Sequence, residues 1–113
     1  MWILSDEIYR EIYFGEGGEA PGLLDLPESS LGRYVVFDGA SKSFAMTGWR
    51  IGYSFCDPGV ARTFASFQSH TTSNPATPSQ HAALAAYTQW EETRAAVASM
   101  REAFERRRDR ICR

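Results

Sequence analysis

Two short, unbroken apolar runs, Trp2-Ile3-Leu4 and Tyr34-Val35-Val36-Phe37, do most to limit what this chain can fold into. Neither alternates polar with apolar residues, so each reads as a buried strand. The first ends in Ser5-Asp6, a polar end that would face a cleft, and the second in Asp38-Gly39-Ala40-Ser41, which reads as a turn. Trp49 to Phe55 alternates weakly and reads as a third strand. Glu7 to Tyr13 is a turn or short helix, and Phe14 to Gly32 is a surface connection rich in Gly, Pro and Ser.

Beyond the third strand the periodicity changes. Asp57 is placed to cap a helix with Pro58 at its first position, and Val60, Phe64 and Phe67 give that helix an apolar face to about Ser69. Thr71 to Ser79 is polar and broken by Pro75 and Pro78. Thr77-Pro78 restarts a helix by the same capping logic. From Glu91 onward, Val97, Met100, Phe104 and Ile111 fall at spacings of three, four and seven, as on a long amphipathic helix. The order is strand, loop, strand, turn, strand, helix, helix, long helix, an α/β arrangement. Short strands need neighbours and a one-sided helix needs cover, so the pattern predicts a chain that is not self-contained.

Composition narrows the functional classes. No stretch approaches the roughly 18 apolar residues of a membrane span, and the N-terminus has neither the basic start nor the apolar core of a signal peptide. A cytoplasmic protein without membrane partners is expected. Cys56 and Cys112 lie far apart and read as free thiols; they and His70 and His81 have no metal spacing, so no metal site is predicted. Arg106, Arg107, Arg108, Arg110 and Arg113 concentrate positive charge near the end of a chain whose net charge is −2. They read as the solvated face of a helix rather than a nucleic-acid site.

Of twelve basic side chains, eleven are Arg and one, Lys42, is Lys. Chemistry that needs a deprotonable amine therefore has one side-chain candidate. Ligands in open α/β sheets bind beyond the carboxyl ends of the strands. The predicted elements bring Asp6 and Tyr9, Ser41-Lys42, and Arg50 to that region. Each has an ordinary reading when taken alone: a strand cap, a core phenol, a surface lysine, a structural arginine. The turn before Lys42 is not a phosphate loop of the Walker type, since Ser41 rather than Gly precedes the lysine.

The joint pattern is more specific. The segment Gly39-Ala40-Ser41-Lys42-Ser43-Phe44-Ala45-Met46-Thr47-Gly48-Trp49-Arg50-Ile51-Gly52-Tyr53 resembles the cofactor-lysine signature of class I and II aminotransferases, which are fold-type I pyridoxal phosphate enzymes. The match covers the small residues before Lys42, the aromatic two positions after it, the Gly six after it and the Arg eight after it. Ser5-Asp6-Glu7-Ile8-Tyr9 resembles the family's upstream motif. Thr72-Ser73-Asn74-Pro75 resembles a third segment, near the dimer interface. Over essentially its whole length the chain is most similar to the bacterial aspartate-aminotransferase-like subgroup.

The resemblance implies pyridoxal 5'-phosphate as cofactor, and an amino acid and a 2-oxo acid as substrates. It implies that Lys42 joins the cofactor aldehyde and later carries a proton as a free amine, a task that needs it neutral part of the time. Asp6 would pair with the ring nitrogen, Tyr9 with the ring hydroxyl oxygen, Arg50 would clamp the phosphate, and Ser41 would add a hydrogen bond. Two positions depart from the aspartate enzymes. Gly39 stands where many carry a phosphate-binding Ser, and Ser69 stands where the animal type carries an Arg for the distal carboxylate. The resemblance also implies that residues 1–90 are part of the cofactor-binding large domain, that residues 91–113 begin the helix to a small domain beyond this chain, that the chain alone is an inactive segment, and that its parent is a homodimer. Other readings use the same residues: a non-catalytic aminotransferase-like domain of a transcription regulator, and elimination or decarboxylation on the same fold. A small α/β interaction domain without cofactor is the remaining alternative.

Overall fold

The structure, a computed structural model, describes residues 1–113. Three strands form one sheet in the order β1-β2-β3: β1 is Trp2–Asp6, β2 is Arg33–Gly39 and β3 is Gly52–Cys56. β1 and β2 are parallel, with Asp6 opposite Phe37, whereas β3 runs antiparallel to β2, with Gly39 opposite Gly52. The apolar runs thus became strands, and the α/β class predicted from the sequence is the one observed.

Four helices follow from local chemistry and patterning: α1 (Ala40–Ser43), α2 (Pro58–Thr71), α3 (Thr77–Thr88) and α4 (Trp90–Ile111). Asp57 caps α2 as expected, its Oδ1 accepting from Gly59 N at 2.7 Å. The capping expectation fails at α3. Thr77 lies inside the helix, Ala76 occupies the cap without a side-chain bond, and Gln80 N donates to the Ala76 carbonyl.

Two further expectations are corrected around Lys42. The stretch Asp38 to Ser41 is not a simple turn: the strand runs through Gly39, and Ala40 to Ser43 make one helical turn that carries Lys42. Nor does the third strand begin at Trp49. Thr47–Trp49 is a 3₁₀ turn, and Arg50 follows it in the left-handed region at φ 56°, so extended backbone starts only at Gly52. A residue at positive φ cannot continue a strand.

Side chains on successive strand residues point to opposite faces. On one face Phe37 stacks against Phe64 of α2, with ring centroids 6.5 Å apart. On the other, Tyr53 meets Tyr87 of α3, with centroids 5.6 Å apart. The small core lies beneath the lysine turn itself, where Ala40, Met46 and Ala83 are buried and Phe44, Ile51 and Ala86 pack around them. Beyond it burial is thin. Val97 of α4 is buried, but Ile111 on the same stripe is 84% exposed, and Phe67 of α2 is 72% exposed. The radius of gyration is 16.1 Å, against about 13 Å for a compact domain of this length.

The connection between β1 and β2 contains no α-helix. Arg10 pins it by pairing with Glu7, Glu19 and Asp25, and Glu7 Oε1 accepts from Leu23 N at 2.7 Å. Arg101 of α4 donates to the Gly18 carbonyl at 2.6 Å, which ties α4 to the same connection.

Candidate functional site

β1 and β2 are parallel, so their carboxyl ends lie at one edge of the sheet. β3 is antiparallel, which brings its beginning to that edge as well. Asp6 is the last residue of β1, Lys42 lies just past the end of β2, and Arg50 just precedes β3. The topology therefore collects the sequence-predicted residues at one end of the sheet.

Lys42 Nζ lies over the ring of Tyr9, 5.5 Å from its centroid. Tyr9, Ser41 and Lys42 line a cavity of about 470 Å³ together with Thr47, Phe14 and Phe104. Thr47 links the predicted residues to one another: its Oγ1 donates to the Ser41 carbonyl at 3.1 Å, and its own carbonyl accepts from Arg50 Nη1 at 3.1 Å. Only one guanidinium nitrogen of Arg50 is so engaged, and the side chain is exposed, which leaves a fork of donors for an anion. Asp6 stands apart. It does not line the cavity, and its Oδ1 accepts from Ile8 N at 3.3 Å, an interaction that turns the chain out of β1.

Sequence reasoning missed three contributors. Thr47 lies inside the lysine motif, and its hydroxyl was the available signal. Phe14 and Phe104 come from a loop and from α4, and no spacing in the sequence relates them to Lys42. Phe104 read only as part of a packing stripe, yet it stands at the cavity wall.

A second group of polar residues surrounds the strand ends. Tyr53 Oη donates to Asp38 Oδ2 at 3.0 Å, and Gly39 N donates to Asp38 Oδ1 at 2.6 Å. Burial pushes the Asp38 carboxyl above its usual range, opposed by these two hydrogen bonds. Burial likewise raises the Tyr53 and Tyr87 phenols. A larger recess, about 680 Å³, lies at the other end of the strands between Trp2, Arg33 and Asp57 and holds no amine. The arginines near the end of α4 are engaged along the helix: Arg108 with Glu105 at 3.2 Å and Asp109 at 2.7 Å, and Arg106 with Glu102 at 3.8 Å.

Fold and site together define an α/β segment that presents one amine at the carboxyl edge of a mixed sheet, with a phenol beneath it and a guanidinium at the same edge. The chain belongs to the aminotransferase class I and II family, whose model matches residues 1–113. Enzymes of this family work with pyridoxal phosphate. The chain is 39% identical to the aspartate aminotransferase of Bacillus sp. strain YM-2 over 109 residues, which cover 96% of this chain and 27% of that protein. Among solved structures, it is similar to the Thermus thermophilus aspartate aminotransferase with maleate, at a TM-score of 0.79 and 42% identity, covering 94% of this chain and 26% of that one. It is also similar to the aromatic aminotransferase of Pyrococcus horikoshii OT3, at a TM-score of 0.84 and 30% identity, covering 96% and 28%. The chain thus spans about a quarter of the length of the relatives it matches. No helix in it is long and apolar enough to cross a membrane.

Proposed function

We propose that this chain is the lysine-bearing part of a pyridoxal-phosphate-dependent aminotransferase, which moves an amino group between an amino acid and a 2-oxo acid. One observation carries the reading. The only lysine of a chain matched to the family over its whole length reaches a cavity shared with Tyr9 and Ser41, at the sheet edge where Asp6 and Arg50 also stand.

The donor set fits the cofactor. A primary amine suits an aldehyde, a carboxylate suits a ring nitrogen that must stay protonated, a phenol suits a ring oxygen, and a planar guanidinium suits a phosphate. When bound, pyridoxal phosphate supplies a ring that accepts the electron pair left when the substrate α-carbon loses its proton. Lys42 would hold the cofactor and then, as a free amine, take that proton and return it. Asp6 would keep the ring nitrogen protonated. Tyr9 would hydrogen-bond the ring oxygen from its position under the Lys42 side chain. Arg50 would bind the phosphate with the donors that Thr47 leaves free, and Ser41 would add a hydrogen bond from the start of the lysine turn.

The same reading assigns residues 1–90 to the cofactor-binding large domain and the helix from 91 to the approach to a small domain. The parent would be a homodimer in the cytoplasm. Thr72 to Pro75, a loop with Ser73 at φ 63°, is the segment that would approach its interface. Cys56 and Cys112 are unpaired, which suits a reducing compartment. The substrate amino acid is left open, because Ser69 offers no cation for a distal carboxylate. Of the named relatives, two are aspartate aminotransferases and one is an aromatic aminotransferase.

The test is reductive trapping at low cofactor concentration. The chain is mixed with pyridoxal phosphate, reduced with borohydride and mapped by mass spectrometry, alongside Asp6→Ala and Arg50→Ala. Labelling at Lys42 that both substitutions weaken supports the reading. Labelling indifferent to both would sink it for this chain.

A further inference from the structure

α1 is a single helical turn, and a turn of this length cannot hold its own direction, because helix formation needs several residues before it sustains itself. Something at its ends must aim Lys42. Its N-cap is Gly39 and its C-cap is Phe44, and one set of side chains touches both.

Asp38 holds the Gly39 N–H through Oδ1 at 2.6 Å and the Tyr53 hydroxyl through Oδ2 at 3.0 Å. Asp38 and Tyr53 are also direct partners in the β2–β3 register. The Tyr53 and Tyr87 oxygens are 2.8 Å apart. Each phenol has one proton, so Tyr53 gives its proton to the carboxylate and Tyr87 gives its own to Tyr53. The Tyr87 ring then meets the edge of Phe44, with centroids 4.8 Å apart. The chain of contacts runs from the residue before α1, across β3, into α3 and back to the residue after α1. None of the three polar residues lines the lysine cavity.

We propose that Asp38, Tyr53 and Tyr87 form a positioning network that fixes the direction in which the helical turn presents Lys42; this rests on the aminotransferase reading above for its purpose, but not for its geometry. Apolar residues at these places would pack the sheet against α3 without the burial penalty that Asp38 carries. What a carboxylate adds is a directional hold on the Gly39 N–H, the last backbone donor before the turn. Gly39 suits this arrangement because β3 passes so close. A Cβ there would come within 2.6 Å of the Ile51 carbonyl oxygen and 2.8 Å of Gly52 Cα.

The experiment reads the Lys42 amine directly. Reductive methylation with ¹³C-formaldehyde labels two sites, Lys42 Nζ and the Met1 α-amine, and the second is an internal reference. In the wild-type chain the Lys42 methyl resonance is expected away from that of a free lysine. Asp38→Asn and Tyr53→Phe should move it to the free-lysine position with the Met1 signal unchanged, and Tyr87→Phe should move it part of the way. In the trapping reaction, the ratio of Lys42 to Met1 labelling by pyridoxal phosphate should fall roughly fivefold in Asp38→Asn, as for one lost hydrogen bond. A wild-type resonance already at the free-lysine position overturns the inference. So does a Lys42 signal that stays put in all three variants while their far-ultraviolet dichroism is kept. If Asp38→Asn fails to fold, Tyr53→Phe and Tyr87→Phe, which keep the ring volume, decide the matter. The methyl signal involves no cofactor. Trapping indifferent to Asp6 and Arg50 would therefore remove the enzymatic reading and leave this inference standing, and the converse also holds.

Discussion

Lys42 Nζ sits 5.5 Å from the centroid of the Tyr9 ring, a contact between the turn after β1 and the helical turn after β2. A cation over an aromatic face is worth about 0.5–1 kcal/mol at an exposed site. Tyr9→Leu should therefore change the occupancy of this Lys42 position by roughly two- to fivefold. Tyr9→Phe should keep it. The Lys42 methyl resonance separates the two variants, and equal spectra for both would mean that the ring is not the partner.

Asp38 and Asp25 should tilt stability with pH in opposite directions. Burial raises the folded Asp38 carboxyl above its ordinary 3.8, so its contribution is fully present below that value and is lost as pH rises through the folded pKa. Asp25 is lowered by the Gly22 N–H and by Arg10, so its contribution is present above 3.8 and is lost as pH falls through the folded pKa. Glu11, raised by burial, slopes as Asp38 does. Urea midpoints measured across pH should lose part of the fall on the rising-pH side in Asp38→Asn, and part of the fall on the acid side in Asp25→Asn. Unchanged profiles in both variants would contradict the assignment.

Two substitutions around the lysine turn should have opposite signs. Ala45 adopts φ 53°, a left-handed conformation that costs an ordinary residue about 1–2 kcal/mol. Ala45→Gly should stabilise by roughly 0.5–1 kcal/mol after the extra flexibility of glycine in the unfolded chain is subtracted. Gly39→Ala should destabilise by about 1–3 kcal/mol, since the new methyl group meets β3 backbone that cannot yield. Denaturant midpoints compared at constant slope check both.

β1 is an edge strand that leaves Trp2 48% and Leu4 69% exposed, and α2 leaves Phe67 uncovered. Such edges pair with other chains. The isolated chain should associate as concentration rises, so its unfolding midpoint should depend on concentration once it is no longer monomeric. Leu4→Lys should lower the association measured by sedimentation. A midpoint and a sedimentation coefficient that do not change with concentration would count against the open edge seen here.

Much of this was legible from local residue order. Unbroken apolar runs marked both β1 and β2 as strands. β2 is the central strand, with Val35 and Val36 buried. β1, read as buried from the same pattern, stands at the sheet edge with Trp2 and Leu4 exposed, because no neighbour covers it in this chain. Asp57-Pro58 marked the start of α2, because a carboxylate before a proline satisfies the first helical donors wherever it occurs. The resemblance of Gly39 to Tyr53 to the family's lysine signature singled out Lys42 and Arg50, and the structure puts both at one edge of the sheet with Asp6.

Tertiary contacts decided the rest. The direction of β3 depends on pairing with β2, which no residue of β3 encodes. Thr77 has the chemistry of a cap but lies inside α3, since the chain leaving loop 72–76 enters the helix one residue earlier. Arg50 was expected in a strand and stands at positive φ before it, because the chain must reverse between two antiparallel neighbours. Local order thus determined which residues are candidates for chemistry and where most helices and strands lie, since propensity and capping act over a few residues. Only packing across β2, β3 and α3 decided how Lys42 is aimed, because Asp38, Tyr53 and Tyr87 meet through contacts between residues as many as 34 positions apart.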